Sequence, residues 1–282
     1  MPYDLPAMVK RTGRRRDVTL RPIIPTASQA QDLATIYAPA WRIWADNIDR
    51  ILAGYDPQPL PTGDALVMDT ADQVQSAINS VANEFLTILT ARIGPGLRNW
   101  LVRSERVHRS RWSAAVKAGT GVDIDMLLSA QDVAEPLSVW MARNAALVRN
   151  VSDVTQGKIA DAVFRGYQNR TPIREVAAEI RADVGGSRAR AVRIASHQSS
   201  SLSGALDLER QAQAGLDKFK WRSSHKQNPR SWHAARDGKV FFLKSRKPVD
   251  GGDPIPSDDM PSQPPACGCR AQAYIALLDE VD

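Results

Sequence analysis

From about residue 28 to residue 213 apolar side chains recur at steps of three and four, and period-two alternation is nearly absent before Lys218. A chain patterned at 3.6 residues per turn gathers its apolar groups on one face only as a helix; as a strand it would scatter them over both. The first run, Ser28 to Tyr55, places Leu33, Tyr37, Trp41, Trp44, Ile48 and Ile51 on one stripe, which predicts an amphipathic helix bent at Pro39 whose aromatic residues pack as core. Asp56 to Gly63, rich in proline, ends it, and a second long helix follows with Val74, Ile78, Val81, Phe85 and Leu89. Gly94-Pro95-Gly96 is expected to interrupt that helix before a basic one from Arg98 to Lys117.

Helical spacing resumes at Val133 and continues through Leu137, Trp140, Leu147, Val151, Ile159 and Val163. Thr171 with Pro172 reads as the cap and first position of another helix, because proline lacks an N–H that would be unsatisfied there anyway. Gly185-Gly186 is expected to stop it and Ser187 to cap the next, about Arg188 to Gln213. That last helix carries Ala195, Ser196, Ser199, Ser200, Ser201, Ser203, Gly204 and Ala205, small enough to admit another backbone closely. After Gly215 the texture changes. Lys218 to Arg222 and Lys239 to Leu243 alternate as strands, and Pro248 to Pro265 is a loop dense in Gly, Pro and Asp. The pattern therefore predicts a mainly α protein: a long-helix N-terminal region with a small α+β C-terminal module. Its parts are a flexible basic arm (1–26), a helical region (27–130), a second helical part (131–215) and a β- and loop-rich module (216–282).

The formal charge is +6, and arginine carries the excess, 28 against 9 lysines. Guanidinium forks suit phosphate and carboxylate, so the bias fits double-stranded DNA or an acidic protein surface. Two segments concentrate it: the arm, with Lys10, Arg11, Arg14, Arg15, Arg16 and Arg21, and the helix holding Arg98, Arg103, Arg106, His108, Arg109, Arg111 and Lys117 as a basic stripe. A tail of this composition has too little apolar surface to order alone. No stretch approaches the roughly 20 apolar residues of a bilayer span and nothing reads as a signal peptide, so a membrane role is not expected and synthesis is expected in the cytosol.

Two of the four histidines and both cysteines lie in the last quarter. His225, His233, Cys267 and Cys269 form the two-His two-Cys set that zinc binds tetrahedrally, which would clamp a loop too poor in apolar residues to offset its ordering entropy. The bland alternative is hydrogen-bonded histidine with cysteines packed as small hydrophobes. A metal-dependent nuclease or hydrolase centred on His225 and His233, with Asn228, is the enzymatic alternative, and a free nucleic-acid-binding module is a third. No P-loop or dinucleotide-binding glycine motif suggests a small-molecule substrate.

The order Trp221, Arg230, His233, Asp237, Gly238, a Pro-rich run, then Cys267, Cys269 and Arg270 resembles the signature of the phage Mu F-like head-morphogenesis family. Upstream, the Thr171-Pro172 helix start, Arg190 to Ala195 and the Ala214-Gly215 turn follow the same family's order, over roughly residue 140 onward. Ser196-His197-Gln198 stands where the family commonly has Arg-Thr-Glu, and His225 where it often has an acidic residue. The resemblance implies a structural, non-enzymatic minor head protein of a tailed phage or prophage. Its implied partners are the portal and major capsid proteins, its place the virion interior, reached from the host cytoplasm during assembly, and its role head assembly, DNA packaging or ejection.

Overall fold

The protein is described from a computed structural model covering residues 2–57 and 68–278, apart from the side chains of residues 68, 69, 186–188 and 191. It is mainly α, with a small four-stranded sheet in a C-terminal α+β module. The elements in order are α1 (Leu5–Arg11), β1 (Val18–Thr19), α2 (Ala27–Tyr37), α3 (Pro39–Asp46), α4 (Ile48–Ile51) and α5 (Met68–Ile88). Next come α6 (Gly94–Thr120), α7 (Ala134–Asn169), α8 (Ile173–Gln213), β2 (Lys218–Arg222), α9 (Ser231–Ala234), β3 (Val240–Phe242) and β4 (Arg270–Ile275).

The chain divides into two compact units. One comprises Gln31–Asn99 and Met141–Ala195, and its elements among the described residues are all helices. The expected stripe is its core: Leu33, Tyr37, Trp41, Trp44, Ile48 and Ile51 are buried, as are Val74, Ile78, Val81 and Phe85. The single bent helix expected over 28–55 is instead three pieces, broken at Pro39 and again at Asn47, whose side-chain amide donates to the Ile43 carbonyl at 2.7 Å. Polar tips of the aromatic residues find partners: the Tyr37 hydroxyl donates to Asn144, and the Trp44 indole donates to Ser152 Oγ at 2.9 Å. Part of the proline-rich segment expected to follow, from residue 58, lies outside the described residues.

Gly94-Pro95-Gly96 does not break the helix. A π-helical turn over Leu89–Ile93 lets the Gly94 N–H reach the Leu89 carbonyl, which widens the turn where Pro95 can supply no donor. At Gly96 the chains run close: a Cβ would come within 3.2 Å of Ile36 Cγ2. Gly185-Gly186 likewise fails to stop α8, which runs unbroken; a cost of about 1 kcal/mol per helical glycine is outweighed by burial of Val176, Ile180, Val184 and Ala195. The real stop lies one helix earlier. Arg170 at φ +52° ends α7, and the Thr171 N–H closes back on the Gly166 carbonyl at 2.9 Å.

The second unit comprises Met1–Ala30, Trp100–Trp140 and Ser196–Asp282. Its sheet is antiparallel, in the order β1-β4-β2-β3, with Val18 opposite Ile275 and Trp221 opposite Ala271. The expectation of a flexible arm is corrected here. Asp4 caps α1 by accepting from the Ala7 N–H at 2.8 Å, Leu5 and Val9 are fully buried, and β1 supplies the sheet's edge. Charge counting overlooked Leu5, Val9, Val18, Leu20 and Ile23, which join Trp112, Val116, Ala273 and Ile275 in one core. Asp17 fastens the segment, accepting from the backbone N–H groups of Leu277 and Leu278 at 2.7 and 3.1 Å and from the Tyr274 hydroxyl. A second core, with Phe219, Trp221, Phe241, Ile255, Met260, Cys267 and Cys269, surrounds the site described next.

Candidate functional site: a buried histidine and two cysteines

Three segments converge. β2 brings Trp221, the short helix α9 brings His233, and the turn before β4 brings Cys267 and Cys269. The residues between them are folded by specific geometry. Gly238, at φ +78°, donates its N–H to the Trp221 carbonyl at 2.8 Å, and the Asp237 carboxylate accepts from the Ser223 N–H at 2.7 Å. A side chain at Gly268 would put its Cβ 3.0 Å from that of Ser224, a contact tight enough that the neighbouring loop would have to shift. Arg230 donates to the Pro265 carbonyl at 3.0 Å and ties α9 to the proline run.

His233 is only 2% exposed. Its Nε2 lies 2.8 Å from Asp259 Oδ1, and Arg236 holds the other oxygen of that carboxylate. Its Nδ1 faces both sulfurs, 3.6 Å from Cys267 Sγ and 3.5 Å from Cys269 Sγ. Trp221 packs edge-on against the imidazole at 5.1 Å between centroids, while Arg236 stacks on the indole at 5.1 Å. Burial works to raise Asp259, but the hydrogen bonds from His233 and Arg236 outweigh it and leave the carboxyl below its usual range. The hydrogen bond from the Cys269 thiol, with backbone N–H groups of Cys269 and Ser262, pushes Cys267 down; the same shared proton and burial push Cys269 up.

Of the four proposed ligands, His233, Cys267 and Cys269 come together with their ligand atoms all within 4.8 Å of one another. His225 does not join them. It sits at φ +50° with a side chain 62% exposed, 3.6 Å from Asp237. The nuclease arrangement of His225 with His233 therefore lacks a shared centre. Arg270 works behind the site: its guanidinium donates to Ser262 Oγ, to the Ser200 carbonyl at 3.0 Å and to Ser200 Oγ at 3.0 Å. The small residues of α8 serve that approach, since a Cβ on Gly204 would lie 2.7 Å from Ser262 Cβ. The backbone they admit is that of a loop, and an arginine comes with it.

The basic residues separate into two kinds. Lys10, Arg11, Arg14, Arg15, Arg16, Arg103 and Arg106 are exposed. Arg109 pairs with Glu105 at 3.5 Å, and Arg111 donates to the Ile24 carbonyl at 2.7 Å. His108, expected in the exposed stripe, is buried 2.9 Å from the equally buried Asp207. Burial raises the Asp207 carboxyl against the pull of His108 and Arg270. Glu105 and Arg210 form a further buried pair at 2.9 Å, with Asp132 3.4 Å from the same guanidinium. Sequence reasoning missed Glu105, Asp207, Arg210 and Asp259. A signal existed for three of the buried charges: Glu105 and His108 fall in phase with Leu97, Trp100, Trp112 and Val116, and Arg210 continues the step of four from Leu202 and Leu206. A charge on the apolar face of a helix announces a buried partner.

Residues 157–272 match the family described as Phage Mu protein F like protein. A protein of Haemophilus influenzae (strain ATCC 51907 / DSM 11121 / KW20 / Rd), described as uncharacterized, is 28% identical over 154 residues, which is 54% of this chain and 34% of that one. The chain thus spans about a third of the length of that relative. No solved structure matches.

Proposed function

We propose that this protein, whose residues 157–272 match the family described as Phage Mu protein F like protein, is a minor head protein of a tailed phage or prophage. It sits at the portal or on the inner capsid wall and acts in head assembly, DNA packaging or ejection. The family match carries the reading. The geometry supports a structural role, because the family-motif residues Trp221, His233, Cys267, Cys269 and Arg270 are buried and spent on joining loops to the sheet and to α8. None of the described helices is long and apolar enough to cross a membrane. The partners are portal and capsid subunits, with packaged double-stranded DNA meeting the exposed Lys10, Arg11, Arg14, Arg15, Arg16, Arg103 and Arg106.

The test is the composition of purified particles. Heads from an induced lysate should contain this protein together with portal subunits, and particles assembled without it should be aberrant or poorly infectious. Full, infectious heads that lack the protein would sink the reading. The DNA contact is separable: duplex binding should weaken steeply with salt, and Arg14→Ala, Arg15→Ala and Arg16→Ala combined should flatten that dependence because fewer counterions are released. Absence of DNA retention at low salt assigns the charge to an acidic protein partner instead.

A further inference from the structure

We infer that His233, Cys267 and Cys269 bind one soft divalent transition metal, zinc in the cell, and that Asp259 orients the histidine for it. The inference rests on the side-chain geometry and stands whether or not the protein is a head protein.

Nδ1 of His233 is nearly equidistant from two sulfurs, at 3.6 and 3.5 Å. A neutral imidazole nitrogen has one lone pair in the ring plane and can accept from one thiol; a protonated one has a single hydrogen to give. Hydrogen bonding therefore accounts for one of the two contacts and leaves the other idle. A tetrahedral zinc accounts for both: with Zn–S near 2.3 Å and Zn–N of about 2.0–2.1 Å, the nitrogen and each sulfur should stand about 3.6 Å apart. The other face of the ring agrees. Nε2 lies 2.8 Å from Asp259, so its hydrogen is committed there and the bare lone pair of Nδ1 is the one turned to the sulfurs. Arg236, on the second oxygen, keeps the carboxylate ionised and in place.

The surroundings suit a buried dithiolate. The Trp221 indole N–H is buried with no partner in ordinary hydrogen-bond geometry, and it bears on the Cys269 sulfur. Two thiolates and a neutral imidazole cancel the charge of a divalent ion, so the filled site can stay buried at little desolvation cost. The order Cys267–His233–Asp259 also resembles a nucleophile, base and orienting acid, but the cysteines are 5% and 2% exposed, too enclosed for a substrate to reach. Binding the metal would tie α9 to the start of β4 across the loop between them. Three protein ligands leave a fourth position for an enclosed water.

The experiment uses the full chain purified reduced and without chelator. Elemental analysis should find about one zinc per chain, and chelator-stripped protein titrated with cobalt(II) should develop a thiolate-to-cobalt charge-transfer band that saturates near one equivalent. Asp259→Asn, which removes no ligand, should weaken cobalt binding about 10–100-fold, while His225→Ala should leave it unchanged. Reduced wild-type protein that is metal-free and gives no charge-transfer band overturns the site without recourse to any variant. So does a Cys267→Ser, Cys269→Ser double variant that keeps the band, or a His225→Ala variant that loses it.

Discussion

The two units bury different chemistry. In the helical unit the buried polar side chains among the described residues are Asn144, Ser152 and Thr155, all neutral, set in a core of Trp44, Ile78, Val81 and Phe85. In the sheet-bearing unit Glu105, His108, Asp207, Arg210, Lys218, His233 and Arg270 are buried. The difference is one of tolerance. An apolar core accepts any side chain of about the right size and shape, whereas a buried charge is bearable only while its own partner stands in one place. Trp221, His233, Cys267, Cys269 and Arg270 are buried in the second kind of environment.

Arg210→Ala should cause the largest loss. It strands Glu105 in the core with Arg109 at 3.5 Å as its remaining cation, and breaking a buried pair from one side costs about 3–5 kcal/mol. Urea unfolding measures it; a loss as small as that of an exposed pair would erase the contrast between the units. Gly238→Val comes next, at roughly 1–2 kcal/mol for a left-handed conformation at φ +78° in otherwise open space. It should appear as faster proteolysis after residue 215, and unchanged protection would show that the turn does not hold that region together.

In the helical unit Ile78→Val should cost about 1 kcal/mol, since Ile78 is 1% exposed among apolar neighbours. A much larger penalty would mean that this core is as demanding as the other. The smallest effect is a pH dependence at Asp17. Burial works to raise its carboxyl, but the Tyr274 hydroxyl, the Leu277 and Leu278 N–H groups and Lys218 hold it below the ordinary 3.8. A depressed carboxyl contributes stability that is complete above its unfolded value and lost as pH falls through its folded one. The denaturation midpoint should therefore drop below pH 3.8, and Asp17→Asn should remove part of that drop. An identical acid slope in the variant would show that Asp17 does not fasten the N-terminal segment.

The helical unit was largely legible from the sequence, because its stabilising interaction is non-directional burial and burial leaves a period. Leu33 through Ile51 and Val74 through Phe85 announce themselves by spacing alone. What spacing could not give is where helices stop. Gly94-Pro95-Gly96 and Gly185-Gly186 look like breaks and are not, while Asn47 and Arg170 look ordinary and are. Local propensity amounts to about 1 kcal/mol per glycine, and the packing of a long apolar stripe overrides it.

The sequence by itself determined a mainly helical protein with a small C-terminal α+β module, and gathered His233, Cys267 and Cys269 into one stretch. Only the tertiary structure decided that a charged N-terminal segment supplies an edge strand of the sheet, that His108 turns inward to Asp207, and that Asp259 rather than His225 attends His233. Periodicity survives in sequence because it acts between near neighbours on one element. A hydrogen bond or ion pair joins residues 26, 99 or 257 positions apart, and its worth depends on angle, distance and exclusion of water, which exist only once the chain has folded.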